Sequence, residues 1–461
     1  MTNNRYIEKK RITTPIVDFV KHYAERKGTR LHMPGHKGKS FLGCEQYDIT
    51  EIAGADSLYE ADGIIAESEQ NATRLFGTGR TVFSTEGSSQ CIRAMLYLAV
   101  TNRSVSKQGK PLVIAARNVH KSFLYAAALL DMDVLWLWQE GGMDSLCSCT
   151  VSPETLNQTL ENLNEQDKAR LVAVYVTSPD YLGGMLDIKG LANVCHNQGT
   201  ILAVDNAHGA YLHFLDKPLH PMDLGADICC DSAHKTLPVL TGGAYLHIHR
   251  AAPESFRKYA KEAMALFGST SPSYLTMISL DLCNEYLENE YRMRLAESIE
   301  QINELKCQLK DSGWQLTGNE PLKVTICVPE QMTGVDLAER LRQREIECEY
   351  ADPQYLVLML TPENTVEDME HLRDALGENQ FPYFQRPKLQ LEKCQQIISI
   401  REAVFAEHEV ISVAEAKGRI CGTPTVSCPP AIPIVVSGEL VEENILQIFE
   451  YYGITNLDVV K

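Results

Sequence analysis

The sequence predicts an α/β fold with a mainly parallel sheet, and two patterns support that prediction. Between about residues 80 and 250, short apolar runs alternate with helix-like segments, which is typical of strands joined by right-handed helical crossovers. The polar residues best suited to bind a ligand follow such runs, where the carboxyl ends of parallel strands meet. We expect helices to cover both faces of this sheet.

The elements are assigned in chain order. A first helix is expected over residues 15–27, with Pro15 in its first turn and Gly28 as its stop signal. Residues 81–85 precede a helix opened by Ser88 and Ser89. The strand-like runs span residues 112–115, 134–138, 171–177, 201–205, 227–230 and 244–248. The helix-like segments span residues 88–100, 121–130, 153–164 and 188–197.

A second region follows polar, helical stretches at about residues 280–311. It has strand-like residues 323–328 and 355–360 and helix-like residues 335–343 and 366–376, which predicts a smaller α+β domain. Prolines in residues 428–433 favour an extended, loop-like path in the last stretch. We expect an N-terminal helix and linker (1–75), a large cofactor-binding domain (76–290), a small domain (291–384) and a C-terminal domain (385–461).

Composition excludes several classes of function. The 461 residues carry a net charge of −18, which argues against a nucleic-acid-binding surface. The N-terminus lacks the apolar stretch of a secretory signal, and no segment is long enough to span a membrane. The 14 cysteines lack metal-ligand spacing, so we expect reduced thiols, no metal site and a cytoplasmic location.

Lys235 and Asp205 point to pyridoxal 5'-phosphate (PLP) chemistry. Lys235 follows an apolar run within Asp-Ser-Ala-His-Lys-Thr, and a lysine in an apolar setting suits a Schiff base with an aldehyde cofactor. Asp205 ends an apolar run, and a carboxylate there suits the protonated ring nitrogen of PLP. The simpler interpretations are a surface lysine and a helix N-cap aspartate, but the pair favours the cofactor.

Other residues complete a candidate cofactor site. Gly87, Ser88 and Ser89 resemble a phosphate cradle at a helix N-terminus, although Gly-Ser-Ser also opens many helices as a simple cap. Ser232 and His234 lie beside Lys235 and are further phosphate-binding candidates. His120 is placed to stack on the cofactor ring or merely to begin a helix, and His208 either lines the site or belongs to a turn; we favour the site for His208.

An ordered set of motifs resembles the Orn/Lys/Arg decarboxylase family. The motifs are LHMPGHKG (31–38), RNVHKS (117–122), DNAHGA (205–210), SAHK (232–235), STSPSY (269–274), AKGRI (416–420) and a proline-rich stretch (428–433) that leads to Gly438-Glu439. The resemblance covers nearly the whole chain. It implies fold type I of the PLP enzymes, with an aspartate-aminotransferase-like large domain, a seven-stranded type of sheet and smaller α+β domains.

The resemblance also implies roles for individual residues. Lys235 would be the Schiff-base lysine, Asp205 the partner of the pyridine nitrogen and His120 the stacking ring, with Ser88, Ser89, Ser232 and His234 around the phosphate. Thr270 and Ser271 would reach into the site of a neighbouring subunit, so a homodimer or higher homo-oligomer is expected. The chain resembles the shorter bacterial forms without an N-terminal wing domain.

The implied activity is decarboxylation of a basic L-amino acid to CO2 and an amine that serves polyamine biosynthesis. Arginine is the first substrate expected, followed by lysine or ornithine. Two other interpretations stay open: a PLP enzyme of another class (transaminase, aldolase or lyase) acting on a different amino acid, and a non-catalytic descendant that uses the fold for binding.

The chain departs from the family pattern at three places. Asn206 replaces the Glu of Asp-Glu-Ala-His, which removes a charge that we expect close to the ring. Ala233 replaces a Ser, Thr or Val. Cys428 and Ala431 stand where the family tends to have Tyr and Gly in Pro-Tyr-Pro-Pro-Gly. These departures make cofactor binding a firmer expectation than the identity of the substrate.

Overall fold

The computed structural model describes residues 12–26, 28–102, 109–139, 145–383, 393–424 and 430–461. Its largest sheet has seven strands. In chain order these are β1 (Arg80–Ser84), β2 (Leu112–Ala116), β3 (Asp133–Leu137), β4 (Leu171–Thr177), β5 (Leu202–Asp205), β6 (Ile228–Asp231) and β7 (Ala244–Ile248).

The strands lie in the order β1-β7-β6-β5-β4-β2-β3. The neighbours from β6 to β3 pair in parallel, whereas β7 runs antiparallel to both β6 and β1. β1 therefore points the same way as β2 to β6, and all these strands end at one edge of the sheet. The expected mainly parallel sheet is confirmed, with β7 as its one reversed strand among the described residues.

Helices accompany these strands, and some of them pack on the two faces of the sheet. In chain order they are α1 (Pro15–Glu25), α2 (Ile64–Leu75), α3 (Gly87–Thr101), α4 (Lys121–Leu129), α5 (Pro153–Glu161), α6 (Glu165–Arg170), α7 (Ile188–Asn197), α8 (Pro221–Leu224), α9 (Ala233–Thr236) and α10 (Glu254–Leu266), with a 3-10 helix at Ala210–Phe214. One apolar core joins the strands to α3, α4 and α10, and another joins them to α5 and α7. Because both faces are covered, strands such as β2 and β5 are buried at every position.

Most predicted boundaries agree with the structure to within one or two residues. An exception is the helix expected over residues 153–164, which ends at Glu161 and is followed by the separate helix α6. The Asn164 side chain accepts a hydrogen bond from the Asp167 backbone N–H, so it caps a new helix rather than continuing the old one. The first helix ends at Glu25, and the expected end at Lys27 lies outside the described residues.

Two long helices, α11 (Tyr274–Asn289) and α12 (Tyr291–Asp311), lead to a four-stranded sheet. Its order is β10-β11-β9-β8, and every pairing is antiparallel. The elements are β8 (Gln315–Thr317), β9 (Lys323–Cys327), α13 (Gly334–Arg342), β10 (Tyr350–Ala351), β11 (Tyr355–Met359) and α14 (Val366–Leu376). The α+β character expected for this region is confirmed, although the sequence did not indicate β8 and β10.

The C-terminal part has α15 (Ile400–Val404), β12 (His408–Ser412), a 3-10 turn at Val413–Glu415, α16 (Glu443–Tyr451) and β13 (Asn456–Val460). β12 and β13 form an antiparallel pair. The loop-like path holds for residues 430–438, which contain no helix or strand, but the remainder of this stretch is more regular than expected. The division of the chain at residues 75, 290 and 384 stays a prediction.

Two general features bear on function. Within the described ranges, no helix combines the length and apolar character needed to cross a bilayer. The cysteines in those ranges are all free thiols, and most of them are buried.

Candidate active site

A cavity of about 420 Å³ lies at the edge of the large sheet where β1, β2, β4, β5 and β6 end. Every site residue expected from the sequence lines it, except Thr270 and Ser271. Glu349 from the small sheet and residues 430–432 from the C-terminal part complete its walls. Its size is within the range of small-molecule sites in proteins.

Lys235 lies in the short helix α9, directly after β6. Its Nζ atom is 3.0 Å from His208 Nε2 and 5.9 Å from the centre of the Tyr181 ring. Burial lowers the pKa of His208 well below its usual value, and the Lys235 charge lowers it further. The imidazole is therefore neutral and its Nε2 accepts a hydrogen bond from the lysine.

That hydrogen bond leaves the second ring nitrogen of His208 as an N–H donor. This Nδ1 atom is buried and has no hydrogen-bond partner among the residues that the structure describes. Buried donors without partners are uncommon in proteins and often mark sites that receive a ligand or ion. The atom is one reason to consider that a polar molecule binds here.

Asp205 ends β5, and its side chain is almost completely buried. Tyr175 Oη donates to its Oδ2 atom (3.2 Å) and the Ala207 backbone N–H donates to its Oδ1 atom (3.2 Å). Burial raises the pKa of this carboxyl group, and the Lys235 ammonium acts in the opposite direction. A cationic group placed beside Asp205 would favour its ionised form.

Four serine hydroxyls surround the N-terminus of α3, which begins at Gly87 with a positive φ of 71°. Ser232 Oγ donates to Ser88 Oγ, and Ser122 Oγ donates to Ser89 Oγ, both at 2.8 Å. Among the described residues, no side chain caps the N-terminus of this helix of 15 residues. Hydroxyls that can rotate, together with a helix N-terminus, form a suitable site for a phosphate group.

His120 both begins a helix and lines the cavity, and its stacking on a cofactor ring stays a prediction. Its Nδ1 atom accepts from the Ser122 backbone N–H (3.1 Å) and caps α4. Burial, followed by the charge of Lys235, lowers the pKa of His120 to about 4. The ring is therefore neutral at physiological pH. His234 is held by its Nδ1 atom, 3.0 Å from the Gly243 carbonyl oxygen, and burial lowers its pKa as well.

Tyr181 and Glu349 are among the cavity residues that sequence reasoning missed. The Tyr181 hydroxyl donates to Glu349 Oε1, and its ring lies edge-on to His208 with 4.9 Å between ring centres. Tyr181 follows β4 and could have been found from the rule that ligands bind beyond strand ends. Glu349 immediately precedes β10 of the small sheet, and no local pattern in the sequence indicated it.

The departures from the family pattern have different structural settings. Asn206 was expected close to the cofactor ring, but it does not line the cavity. Its Nδ2 atom instead donates to Asp231 Oδ1 (2.7 Å) in the buried interior. Ala233 is buried in α9, and Cys428 lies outside the described residues. Ala431 has a φ of 58°, which lies in the left-handed region. Glycine adopts this backbone conformation without strain, whereas the Cβ of alanine makes it less favourable.

Thr270 and Ser271 lie on the surface and do not line the cavity of their own chain. Ser271 donates its backbone N–H to Ser269 Oγ, and Ser269 donates its own backbone N–H to Glu86 Oε1. Glu86 immediately precedes α3, so this loop is attached near the rim of the candidate phosphate site. Their expected reach into a second subunit stays a prediction.

One group of potential metal ligands lies outside the cavity: His220, Asp231 and His247. Both histidines donate from Nε2 to the same oxygen, Asp231 Oδ2, at 2.9 and 3.0 Å. His220 Nδ1 accepts from the Met222 backbone N–H (3.2 Å), so its proton is on Nε2. The geometry is that of a buried carboxylate satisfied by hydrogen bonds.

Comparison with known proteins places these residues in a wider context. Residues 14–362 match a family model described as Orn/Lys/Arg decarboxylase, major domain, and residues 379–456 match that of the C-terminal domain. An arginine decarboxylase of Bacillus subtilis (strain 168) is 30% identical over 470 residues, covering 95% of this chain and 93% of the relative. An arginine decarboxylase of Halalkalibacterium halodurans is 27% identical, covering 94% and 91%.

Among solved structures, a lysine decarboxylase of Francisella novicida superposes with a TM-score of 0.79 at 15% identity, covering 98% of this chain and 81% of that one. The constitutive lysine decarboxylase of E. coli superposes with a TM-score of 0.77 at 17% identity, covering 97% and 82%. At these identities the likeness shows the fold alone. The fold class expected from the sequence is confirmed.

Proposed function

Since the chain belongs to the Orn/Lys/Arg decarboxylase family, as its motifs led us to expect, we propose that it binds PLP and decarboxylates L-arginine to agmatine and CO2. Its family makes it a decarboxylase of basic amino acids; the cofactor and the choice of arginine are the proposal. The observation that carries it is the meeting of Lys235, Asp205 and the serine-lined N-terminus of α3 in one cavity.

The residues of this cavity fit PLP at both ends. The serine hydroxyls and α3 would hold the phosphate, Asp205 would face the ring nitrogen, and Lys235 would hold the aldehyde carbon. His120, neutral and at the cavity wall, would cover the ring face. When bound, PLP supplies an electron sink for the bond that breaks at the α-carbon.

The chain itself handles the proton that replaces the lost carboxyl group. The Lys235 ammonium would give up this proton to the α-carbon once the substrate amine has replaced it on the cofactor. His208 Nε2, 3.0 Å from Lys235 Nζ, would hold the ammonium in place by accepting a hydrogen bond from it. General-acid steps of this kind contribute about 10²–10⁴ in rate. His208, beside Lys235, is buried, which would limit the access of bulk water to that end of the cavity.

Glu349 is the residue that we expect to select a basic substrate. Its carboxylate lines the cavity and is oriented by the Tyr181 hydroxyl. A carboxylate pairs well with the planar fork of a guanidinium group, which donates two parallel hydrogen bonds. The curated relatives named arginine decarboxylase also support arginine over lysine and ornithine.

The first experiment is mass spectrometry of products after the purified protein and PLP are incubated separately with arginine, lysine and ornithine. We expect agmatine from arginine. Cadaverine or putrescine as the main product would replace arginine by lysine or ornithine. A keto acid without CO2 would instead support a transaminase, and an absence of PLP absorbance would support a non-catalytic descendant.

Lys235→Ala tests the attachment of the cofactor. The variant should lose both the absorbance of the bound imine and the formation of amine. An unchanged spectrum and activity would refute the role of Lys235.

Glu349→Gln tests the selection of the substrate side chain. We expect KM for arginine to rise by about tenfold to 10²-fold, since a charge-assisted pair contributes about 1.5–3 kcal/mol. An unchanged KM would place the guanidinium elsewhere.

We also propose a homodimer with shared sites, in a cytoplasmic enzyme. Thr270 and Ser271 are exposed at the rim side of α3 and would extend into the partner's site. A mixture of inactive Lys235→Ala and Thr270→Arg chains should then regain activity, because mixed dimers contain one intact site and about a quarter of all sites are restored. No recovery on mixing would refute shared sites.

A further inference from the structure

Two motif residues that the proposed function leaves without a role meet in the structure. Arg117, from RNVHKS, and Glu439, at the end of the proline-rich stretch, form an ion pair with 3.4 Å between Nη2 and Oε2. Their side chains are 1% and 2% exposed. They are 322 residues apart in the chain, so the pair joins the large domain to the C-terminal part.

Arg117 also holds the backbone of the C-terminal part directly. Its Nη1 atom donates to the Pro433 carbonyl oxygen (3.1 Å) and its Nη2 atom to that of Ile434 (2.9 Å). Glu439 Oε2 in turn accepts from the Val436 backbone N–H (2.8 Å). One guanidinium and one carboxylate thus fix three backbone positions within residues 433–436.

The aromatic surroundings orient the guanidinium group. Its central carbon lies 5.2 Å from the ring centre of Trp136 and 5.4 Å from that of Trp138. Stacking of this kind suits the planar guanidinium better than a lysine ammonium. The geometry therefore depends on the arginine fork and not only on its charge.

The fixed backbone is continuous with the cavity wall. Pro430, Ala431 and Ile432 line the cavity, and the Ala431 carbonyl oxygen accepts from the Lys121 backbone N–H (2.9 Å), next to His120. Ile432 shares an apolar cluster with Cys147 and Tyr181, which also line the cavity. Residues 430–432, here called the wall segment, thus contact the surroundings of both His120 and Tyr181 at the cavity.

We propose that the Arg117–Glu439 pair positions the wall segment and so determines which substrate side chain the cavity accepts. Arg117 and Glu439 are positioning residues, because neither lines the cavity. The selection of a substrate side chain rests on the proposed function. The positioning of the wall segment by the ion pair is independent of that function. Stability alone is a weak reason for such a pair, since apolar replacements of buried ion pairs are often as stable.

Cys147 provides a measurement that needs no substrate. It is fully buried, lines the cavity and shares the Ile432 cluster, so displacement of the wall segment should expose it. Its alkylation by iodoacetamide is followed by peptide mass spectrometry in the holoenzyme. The exposed Cys307 serves as an internal reference.

The variants are Arg117→Lys, Glu439→Gln and the double variant Arg117→Gln/Glu439→Gln. The matched control is Glu69→Gln/Lys261→Gln, which removes another buried ion pair that has no residue in the cavity wall. We expect Cys147 alkylation to accelerate at least about tenfold in the Arg117 and double variants, but not in the control. KM for arginine should rise by about tenfold to 10²-fold, while kcat changes less than about threefold.

Alkylation at the wild-type rate in every folded variant, or an equal rise in the control, would overturn the proposal. If Arg117→Lys does not unfold cooperatively, the double variant, which removes both charges together, decides the question. If no amine forms from any substrate, the proposed function fails, yet the alkylation rates still show whether the pair positions the wall.

Discussion

His120 should make the PLP-free protein less stable as the pH falls below 6.5, and this effect can be isolated by substitution. Burial, with the charges of Lys235 and Lys121, lowers the pKa of His120 in the folded protein to about 4. In the unfolded chain a histidine has a pKa of about 6.5. Between these two values the unfolded state binds a proton that the folded state does not.

The sign and size follow from linkage. Because the folded pKa is depressed, the stability is fully present above about pH 6.5 and is lost as the pH falls towards 4. At pH 5 the equilibrium constant of unfolding rises by a factor of about 30, which corresponds to a loss of about 2 kcal/mol of stability. The full loss below pH 4 approaches about 3 kcal/mol, since each unit of pKa shift is worth about 1.4 kcal/mol.

The assay is urea unfolding of the PLP-free protein at fixed protein concentration, at pH 7 and pH 5. His120→Asn is the informative variant, because asparagine keeps an acceptor for the Ser122 N–H at the start of α4 and does not titrate. His120→Phe keeps an aromatic ring but removes the cap, which changes the free energy of unfolding equally at both pH values. We expect wild type to lose about 2 kcal/mol more than either variant between the two pH values. Equal losses would show that His120 titrates normally and that the site is more open to water than the structure indicates.

Three further predictions concern affinity and stability. Ser232→Ala and Ser89→Ala should each weaken PLP binding by about tenfold to 10²-fold in a fluorescence titration, because a hydrogen bond to an ionic group contributes about 1.5–3 kcal/mol; an unchanged Kd would remove that hydroxyl from the phosphate site. Asp231→Asn should lower the free energy of unfolding by about 1–3 kcal/mol at pH 7, since burial alone would raise the pKa of this carboxyl but its two histidine partners hold it well below the usual value. The difference in the free energy of unfolding between wild type and Asp231→Asn should shrink below about pH 4, as the carboxyl of the unfolded wild-type chain becomes protonated. A difference that stays constant with pH would contradict the role of the two histidine partners. Asp281→Ala should cost about 2–4 kcal/mol in thermal or urea unfolding, because Asp281 accepts the backbone N–H groups of Ile16 and Val17 at the start of α1; a cost below 1 kcal/mol would show that water replaces it.

Much of the fold could be predicted from the sequence because its strands and helices produce local patterns of apolar residues. The strands of the large sheet are buried on both faces, so they appear as continuous apolar runs, and Leu171–Thr177 and Ala244–Ile248 agree with the predicted bounds. The antiparallel direction of β7 could not be read, since strand direction depends on which neighbours pair. The helix break at Asn162–Asn164 was missed because both segments have helix-forming composition.

The proposed cofactor side of the site could be predicted for the same reason. Lys235, His120 and Ser88 each follow a strand and Asp205 ends one, and parallel strands bring their carboxyl ends together. The opposite side of the cavity could not be predicted from strand ends. Glu349 comes from the small sheet, and residues 430–432 come from the C-terminal part, so only the packing of these parts on the large domain places them at the cavity.

The sequence by itself determined the fold class, the family and the strand-end residues suited to PLP, because each rests on short-range patterns or on an ordered set of motifs. Only the tertiary structure decided where Asn206 points, that Glu349 faces the cavity and that Arg117 pairs with Glu439. These depend on contacts between residues far apart in the chain. Such contacts are made by packing and leave no local pattern, which is the physical reason that the proposed substrate side of the cavity could not be predicted from the sequence alone.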